Sequence, residues 1–140
     1  MNAFADELKI KLLGCDPYEK FNWMQYPDDL TGGDDWPIFE EAVRMIKPNF
    51  IIEVGSWKGK SAINMTKLAL QYDPDVTTLC IDTWLGSDIC HILTHKDDET
   101  WGIKQMRDRG MSTMYLQFLA NVCRANLHDH IVPFPNTSSV

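Results

Sequence analysis

The sequence predicts an α/β fold built on a parallel β-sheet, and two observations favour this class. Short, nearly continuous apolar runs at residues 49–55 and 76–82 are typical of strands that are buried on both faces of a sheet. A helical pattern at residues 61–72 separates them, and a strand, a helix and a second strand within about 30 residues have the size of a βαβ unit. We expect the crossover of this unit to be right-handed.

The composition of the 140-residue chain indicates one folded domain, because 44% of the residues are hydrophobic, 11% are aromatic, and domains typically run to about 100–200 residues. The 20 acidic and 13 basic side chains give a net charge of −7, which argues against a nucleic-acid partner. No stretch approaches the roughly 20 apolar residues that span a bilayer. Acidic residues also stand where a secretory signal would be basic, so we expect a cytoplasmic protein without a membrane partner.

Residues 1–36 are predicted to form an N-terminal helix followed by an irregular aromatic segment. The helix covers residues 1–13 and ends at Gly14, which is a common stop residue. Residues 14–37 are rich in turn-forming and aromatic side chains, so we expect them to wrap over another part of the fold.

Residues 37–140 are predicted to form a single Rossmann-like unit that includes the βαβ segment. A helix over residues 37–46 precedes the first strand. Residues 84–110 are polar and irregular. They are followed by a helix over residues 111–127 and by a third strand over residues 129–134 that prolines stop.

The turn after the first strand carries the strongest functional signal. Gly55 and Gly59 let the backbone bend sharply and approach a ligand, and the helix that begins near Lys60 aims free N–H groups at the same place. Asp82 ends the second strand about 20 residues further on, where doubly wound folds place a carboxylate that accepts hydrogen bonds from ribose hydroxyls. The pattern therefore predicts a nucleoside site at the carboxyl ends of adjacent strands.

A phosphate-binding loop is the first alternative for this turn. The run Gly-Lys-Ser at residues 59–61 fits the end of the pattern G-x-x-x-x-G-K-S/T, and Asp82 would then hold a metal ion. However, Val54 stands where the opening glycine belongs, and Glu53 would point a carboxylate toward the phosphates, at a cost of a few kcal/mol. A nucleotide phosphotransferase is therefore the less favoured interpretation.

The run Glu53-x-Gly55-x-Trp57-x-Gly59 resembles the E/D-x-G-x-G-x-G motif of class I S-adenosylmethionine-dependent methyltransferases, with a tryptophan at the usual middle glycine. That ligand carries a sulfonium and an amino group but no phosphate, so an acidic residue near the loop is favourable. Together with Ile-Asp-Thr-Trp-Leu-Gly-Ser at residues 81–87, the segment is similar to the macrocin-type sugar O-methyltransferases. The resemblance spans roughly residues 36–140.

The resemblance implies a set of cofactor-binding residues. Asp82 would hold the ribose hydroxyls, while Glu53 would act through the loop or the amino group of the cofactor. Thr83 and Trp84 would flank the adenosine, and Ser138 would lie near the adenine. The methionine part would be surrounded by Gly55, Ser56, Trp57 and Gly59. The implied cofactor-binding set is Glu53, Gly55, Ser56, Trp57, Gly59, Ser61, Asp82, Thr83, Trp84 and Ser138.

The implied activity is methyl transfer from S-adenosylmethionine to an oxygen or nitrogen of a small molecule or sugar, by in-line displacement that depends on positioning and leaves S-adenosylhomocysteine. The resembled fold is a three-layer sandwich with the strand order 3-2-1-4-5-7-6. Because only three strands are predicted, we expect the N-terminal half of that fold, in a product truncated after the third strand, with no assigned catalytic residue. The second alternative is therefore a non-catalytic remnant that binds S-adenosylmethionine or another nucleoside as an assembly module.

The first strand would lie at the centre of the complete sheet, whereas three strands alone would leave it as an apolar edge. Exposed sheet edges invite pairing with another chain. We therefore expect a homo-oligomer through this edge, or burial of the edge by the N-terminal segment.

No metal site is expected. The four cysteines, Cys15, Cys80, Cys90 and Cys123, include no Cys-x-x-Cys pair and are predicted to be buried free thiols. His91 and His95 are spaced for one helix face, but no third ligand accompanies them, and a solvated loop is the preferred interpretation.

Overall fold

The computed structural model of this chain describes residues 2–30, 37–86 and 107–139. The α-helices there are α1 (Ala3–Leu13), α2 (Pro37–Ile46), α3 (Lys60–Ala69) and α4 (Met114–Arg124), with one turn of 3₁₀ helix at Trp23–Gln25. The strands are β1 (Phe50–Val54), β2 (Thr77–Asp82), β3 (Arg107–Asp108), β4 (Met111–Ser112) and β5 (Ile131–Pro135).

Three strands form a small open parallel sheet in the order β1-β2-β5, flanked by helices. Ile52 of β1 lies opposite Leu79 of β2, and Leu79 lies opposite Val132 of β5. These are the three predicted strands, so the mixed α/β class and the parallel sheet are confirmed. The arrangement is compatible with a Rossmann-like fold.

A short antiparallel hairpin of β3 and β4 lies where the sequence predicted an irregular segment and the start of a helix. Its two turn residues, Arg109 and Gly110, have positive φ values of 48° and 85°. Two-residue hairpin turns require such values because their twist then matches that of the strands. The predicted helix over residues 111–127 accordingly begins later, at Met114.

The N-terminal helix is tied to the sheet by Asn2, whose side chain is 2% exposed. Its Oδ1 accepts a hydrogen bond from the backbone of Ala5 at 3.2 Å and so caps α1. Its Nδ2 donates to the carbonyl of Asp75 at 2.7 Å and to the hydroxyl of Thr77 at 3.0 Å. The cap of α1 therefore also fixes this helix at the start of β2.

The main hydrophobic core lies where α3 and α4 pack on the sheet. Ile63 of α3 and Phe118 of α4 are 1% and 0% exposed, and they join Ile131 of β5 in one cluster. Tyr18, from the irregular segment, belongs to the same cluster and donates its hydroxyl to the Ile131 carbonyl at 2.9 Å. Burial raises the pKa of Tyr18 well above its ordinary value, so this donor stays protonated.

The irregular segment wraps over α4, as its turn-rich composition predicted. Gln117 donates to the carbonyl of Pro27 at 2.9 Å, and Arg124 donates to the carbonyl of Tyr26 at 2.8 Å. The N-terminal segment reaches β1 at Phe50, whose ring lies 5.8 Å from the ring of Phe4 in α1, whereas Ile52 is 58% exposed. Within the described residues, the predicted burial of the edge of β1 by the N-terminal segment is therefore partial.

Of the cysteines, Cys80 is buried, Cys123 is partly buried, and Cys15 is exposed, so the prediction of a buried thiol is wrong for Cys15. Cys90, His91 and His95 lie outside the described residues. Within the described ranges, no group of three or more metal-ligating side chains is found. No helix in that part of the chain is both long and apolar enough to cross a membrane.

We expect thiol-labelling reagents to separate these cysteines. Burial is the main cause that raises the pKa of the Cys80 thiol well above its ordinary value, and burial raises the pKa of Cys123 to about 11. Since the thiolate is the nucleophile, iodoacetamide at pH 8 should modify Cys15 quickly and Cys80 only in denaturant. Peptide mass spectrometry checks this order, with the Cys15→Ser variant as the control. Equal rates at Cys15 and Cys80 in the native protein would contradict it.

Candidate functional site at the carboxyl edge of the sheet

The loop between β1 and α3 is bent by a series of left-handed residues. Gly55, Trp57 and Gly59 have φ values of 81°, 50° and 88°. Trp57 occupies the position of the middle glycine in the resembled motif and adopts the backbone conformation that favours glycine. A non-glycine residue pays roughly 1–2 kcal/mol for this conformation. Strained residues of this kind cluster at functional sites, where the surrounding structure holds them in place.

Asp82 holds this loop against the end of β2. Its Oδ2 accepts a hydrogen bond from the backbone N–H of Trp57 at 2.8 Å, and its Oδ1 accepts one from the N–H of Trp84 at 2.8 Å. In turn, the indole Nε1 of Trp84 donates to the carbonyl of Trp57 at 2.7 Å. The structure thus brings together the predicted loop and the predicted carboxylate. Asp82 is half-buried, and a carboxylate accepts about four hydrogen bonds, so further acceptor positions remain on it.

Glu53 lies beneath the loop, between β1 and the first turn of α3. The hydroxyl of Ser61 donates to its Oε1 at 2.5 Å, and the thiol of Cys80 lies 3.9 Å from its Oε2. After burial, the charge of Glu53 is the next cause that raises the pKa of Cys80. The carboxylate lies at a helix N-terminus, where a negative charge is stabilised. Ser61, which belongs to the predicted set, therefore contacts Glu53 within the protein.

The two glycines of the loop have different surroundings. A methyl group added to Gly55 would meet no atom within 4 Å, and Gly55 is exposed. A methyl group on Gly59 would lie 3.0 Å from two ring carbons of Phe118. The space beside Gly55 is thus open to a ligand, whereas the bare backbone at Gly59 lets α3 begin close to α4.

Of the remaining predicted residues, Ser56 is buried in the loop after β1, and the others lie around the end of β2 and the end of β5. Thr83 and Ser138 are exposed, and the N–H of Asn136 donates to the carbonyl of Asp82 at 3.0 Å, which brings the turn after β5 beside this edge. The Trp84 ring is 2% exposed and packs 4.8 Å from the ring of Phe118. Trp84 therefore presents its backbone to the site, while its ring belongs to the core. Its implied contact with adenosine stays a prediction.

Sequence reasoning missed Lys58, whose side chain is 1% exposed and whose Nζ lies 2.7 Å from Oδ2 of Asp29. Asn121 of α4 donates to the backbone carbonyls of Lys58 and Asp29, at 2.9 Å and 2.8 Å. These contacts with the irregular segment and α4 thus hold the loop in place. No sequence signal marks this contact, because its members lie far apart in the chain and in no repeating pattern.

The charges of the site restrict what it can bind. Glu53 and Asp82 place two carboxylates next to the bent loop. Carboxylates accept hydrogen bonds from hydroxyl and amino groups and attract cations, while they repel phosphates. The open space beside Gly55 suits a ligand that approaches the backbone closely. The arrangement therefore favours a ligand with hydroxyl groups and a positive charge.

Neither a scan against protein-family models nor a search among curated proteins returned a match for this chain.

Proposed function

We propose that this chain binds S-adenosylmethionine at the carboxyl edge of its sheet, as a class I methyltransferase-like protein that transfers a methyl group to an oxygen or nitrogen of a small molecule or sugar. The observation that carries the proposal is the 2.8 Å hydrogen bond from the N–H of Trp57 to the carboxylate of Asp82. It joins a bent loop after one strand to an acidic residue after the next, which is the arrangement that doubly wound folds use for nucleosides.

The residues present fit this cofactor. Asp82 has acceptor positions left for two ribose hydroxyls, and Gly55 leaves room for the backbone to approach the ligand. The negative charge of Glu53 would suit the amino and sulfonium groups of the cofactor. When bound, S-adenosylmethionine supplies an activated methyl group, and the residues named here bind and orient it. Thr83 and Ser138 are exposed at the same edge, where the adenosine half would lie.

A phosphotransferase is disfavoured by the contact of Ser61. In a phosphate loop this hydroxyl would be available to a metal ion, whereas here it donates to Glu53 at 2.5 Å. A phosphate close to two carboxylates is also repelled, by about 4 kcal/mol for each pair of unit charges 4 Å apart at an effective dielectric constant near 20.

Isothermal titration calorimetry of the full chain tests the proposal, with S-adenosylhomocysteine as the ligand and magnesium–ATP as the alternative. We expect S-adenosylhomocysteine to bind and magnesium–ATP to give no heat. The Asp82→Ala variant should weaken binding by roughly 1–3 kcal/mol, or about 5- to 150-fold, because hydrogen bonds to a charged acceptor are lost.

Asp75→Ala is the matched control. It removes the same charge from an exposed carboxylate that precedes β2, at the amino ends of the strands and away from the candidate site, and should leave the affinity unchanged. Thermal unfolding of each variant without ligand shows whether the fold persists. Absence of binding to the wild-type protein, or equal affinities for all three proteins, would refute the proposal. Binding without methyl transfer to any acceptor would favour the non-catalytic remnant.

A further inference from the structure

The outer edge of β1 exposes apolar side chains and an unpaired strand. Among the described residues, β1 pairs with β2 alone and forms one end of the sheet. The side chains of Phe50, Ile52 and Val54 are 37%, 58% and 61% exposed, and they point to one face because alternate residues of a strand do so. Parallel sheets are ordinarily covered on both faces, and an open apolar edge is a template for another strand.

The backbone groups that face this edge follow from the pairing with β2. The carbonyl of Asn49 accepts a hydrogen bond from Thr77 at 3.0 Å, and the N–H of Gly55 donates to Ile81 at 2.9 Å. The backbone N–H and C=O groups of the odd-numbered residues of β1 therefore point toward β2. By alternation, the N–H and C=O groups of residues 50, 52 and 54 point away from the sheet, which leaves six groups without a strand partner in the described part of the chain.

We propose that a second copy of this chain pairs with this edge, antiparallel, across a two-fold axis at Ile52. In this register Ile52 lies opposite its own symmetry mate, and Phe50 lies opposite Val54. All six outward groups then find partners, in three reciprocal pairs. The apolar side chains on the same face also meet across the seam, as cross-strand pairs that stabilise a sheet. This inference goes beyond the proposed function and does not rest on it.

Neighbouring registers are less favourable. Centring the axis on Ile51 would place Val54 opposite Pro48, which has no N–H to donate. Centring the axis on Glu53 would place two carboxylates directly opposite each other, which destabilises a sheet. The register at Ile52 avoids both costs and places Glu53 opposite Ile51. The strand is therefore complementary to itself, as a two-fold interface requires.

The surface beside the edge supports the same occupant. On the face of the sheet that carries α2 and α3, α2 and β1 enclose an apolar groove of about 250 Å³ that includes Ile46, Pro48 and Ile51. Ile46 and its neighbour Met45 are 72% and 77% exposed. A two-fold axis perpendicular to the sheet places α2 of both copies on the same face of the continuous sheet, one on each side of the seam. The dimer thus buries apolar surface of α2 as well as the edge of β1.

Sedimentation equilibrium of the full chain, with two substitutions of Ile52, tests the proposal. Ile52→Pro and Ile52→Ala both remove the isoleucine side chain, but only proline removes the N–H that points away from the sheet. Neither substitution removes a hydrogen bond to β2. We expect the wild-type protein to be a dimer, the alanine variant to be a weaker dimer, and the proline variant to dissociate at least 100-fold more readily. Thermal unfolding confirms that both variants fold.

Cross-linking locates the interface independently. Opposed residues of a hydrogen-bonded antiparallel pair have Cα atoms about 5.5 Å apart, which suits a disulfide. Ile52→Cys in a Cys15→Ser background should therefore give a dimer linked at position 52 under mild oxidation. Met24→Cys, at a position that is 75% exposed on the side of α4, should not give a linked dimer.

A wild-type protein that stays monomeric at roughly 100 μM would overturn the proposal and leave the edge to a different polypeptide. A dimer that tolerates Ile52→Pro and does not cross-link at 52 would overturn it by placing the interface elsewhere.

Discussion

Replacing Gly59 by alanine is expected to destabilise the fold by about 2–5 kcal/mol. Its φ of 88° costs an alanine roughly 1–2 kcal/mol, because the new Cβ crowds the following carbonyl. The same Cβ would lie 3.0 Å from two carbons of the Phe118 ring, which is fully buried. Overpacking of a core adds roughly 1–3 kcal/mol, because the buried ring has to shift to make room for the methyl group.

Urea denaturation followed by circular dichroism measures this loss, and Gly55→Ala is the matched control. Gly55 has a φ of 81°, but its Cβ would meet no atom within 4 Å, so only the backbone cost of roughly 1–2 kcal/mol applies. The difference between the two variants isolates the contact between the start of α3 and α4. Adding Phe118→Leu to the Gly59→Ala variant should recover part of that difference. Equal losses for the two alanine variants would show that Phe118 moves aside freely.

The parts of the fold that the sequence predicts well are those with a local pattern. The apolar runs of β1 and β2 and the amphipathic stripe of α2 identify these elements, and the structure places α2 at the predicted residues. The hairpin of β3 and β4 was missed because strands of two residues have no measurable periodicity. The sequence signal for this hairpin was the turn pair Arg109-Gly110, which is less typical of such turns than Asn-Gly or Asp-Gly.

The same difference between features with a sequence pattern and features without one applies to the candidate site. The approach of Asp82 to the loop was predictable, because the carboxyl ends of adjacent parallel strands meet at one edge of a sheet. The burial of Trp84 was not, because a tryptophan after a strand suits a binding surface and a core equally well. The contact of Lys58 with Asp29 joins a loop to an irregular segment, and no periodicity or motif connects the two positions.

The Asp29→Asn substitution should destabilise the protein by about 3 kcal/mol, although it changes a single charge in an irregular segment. The Nζ of Lys58 lies 2.7 Å from the Asp29 carboxylate, and the Lys58 side chain is 1% exposed, so water cannot replace the lost negative charge. Removing one partner of a buried ion pair typically costs 3–5 kcal/mol, and we expect the lower end of this range because the Asp29 side chain is 27% exposed.

Lys58→Met should cost much less, about 1 kcal/mol or below, since a methionine fills a similar volume without a charge to desolvate. Once Lys58 is Met, adding Asp29→Asn should have little further effect. Asp28→Asn, the same change at the exposed neighbouring position, is the control for net charge and should leave stability within about 0.5 kcal/mol. Chemical denaturation of the four variants forms a double-mutant cycle with this control. Losses of the same size for Asp29→Asn and Asp28→Asn would mean that the buried ammonium does not depend on Asp29 for its stabilisation.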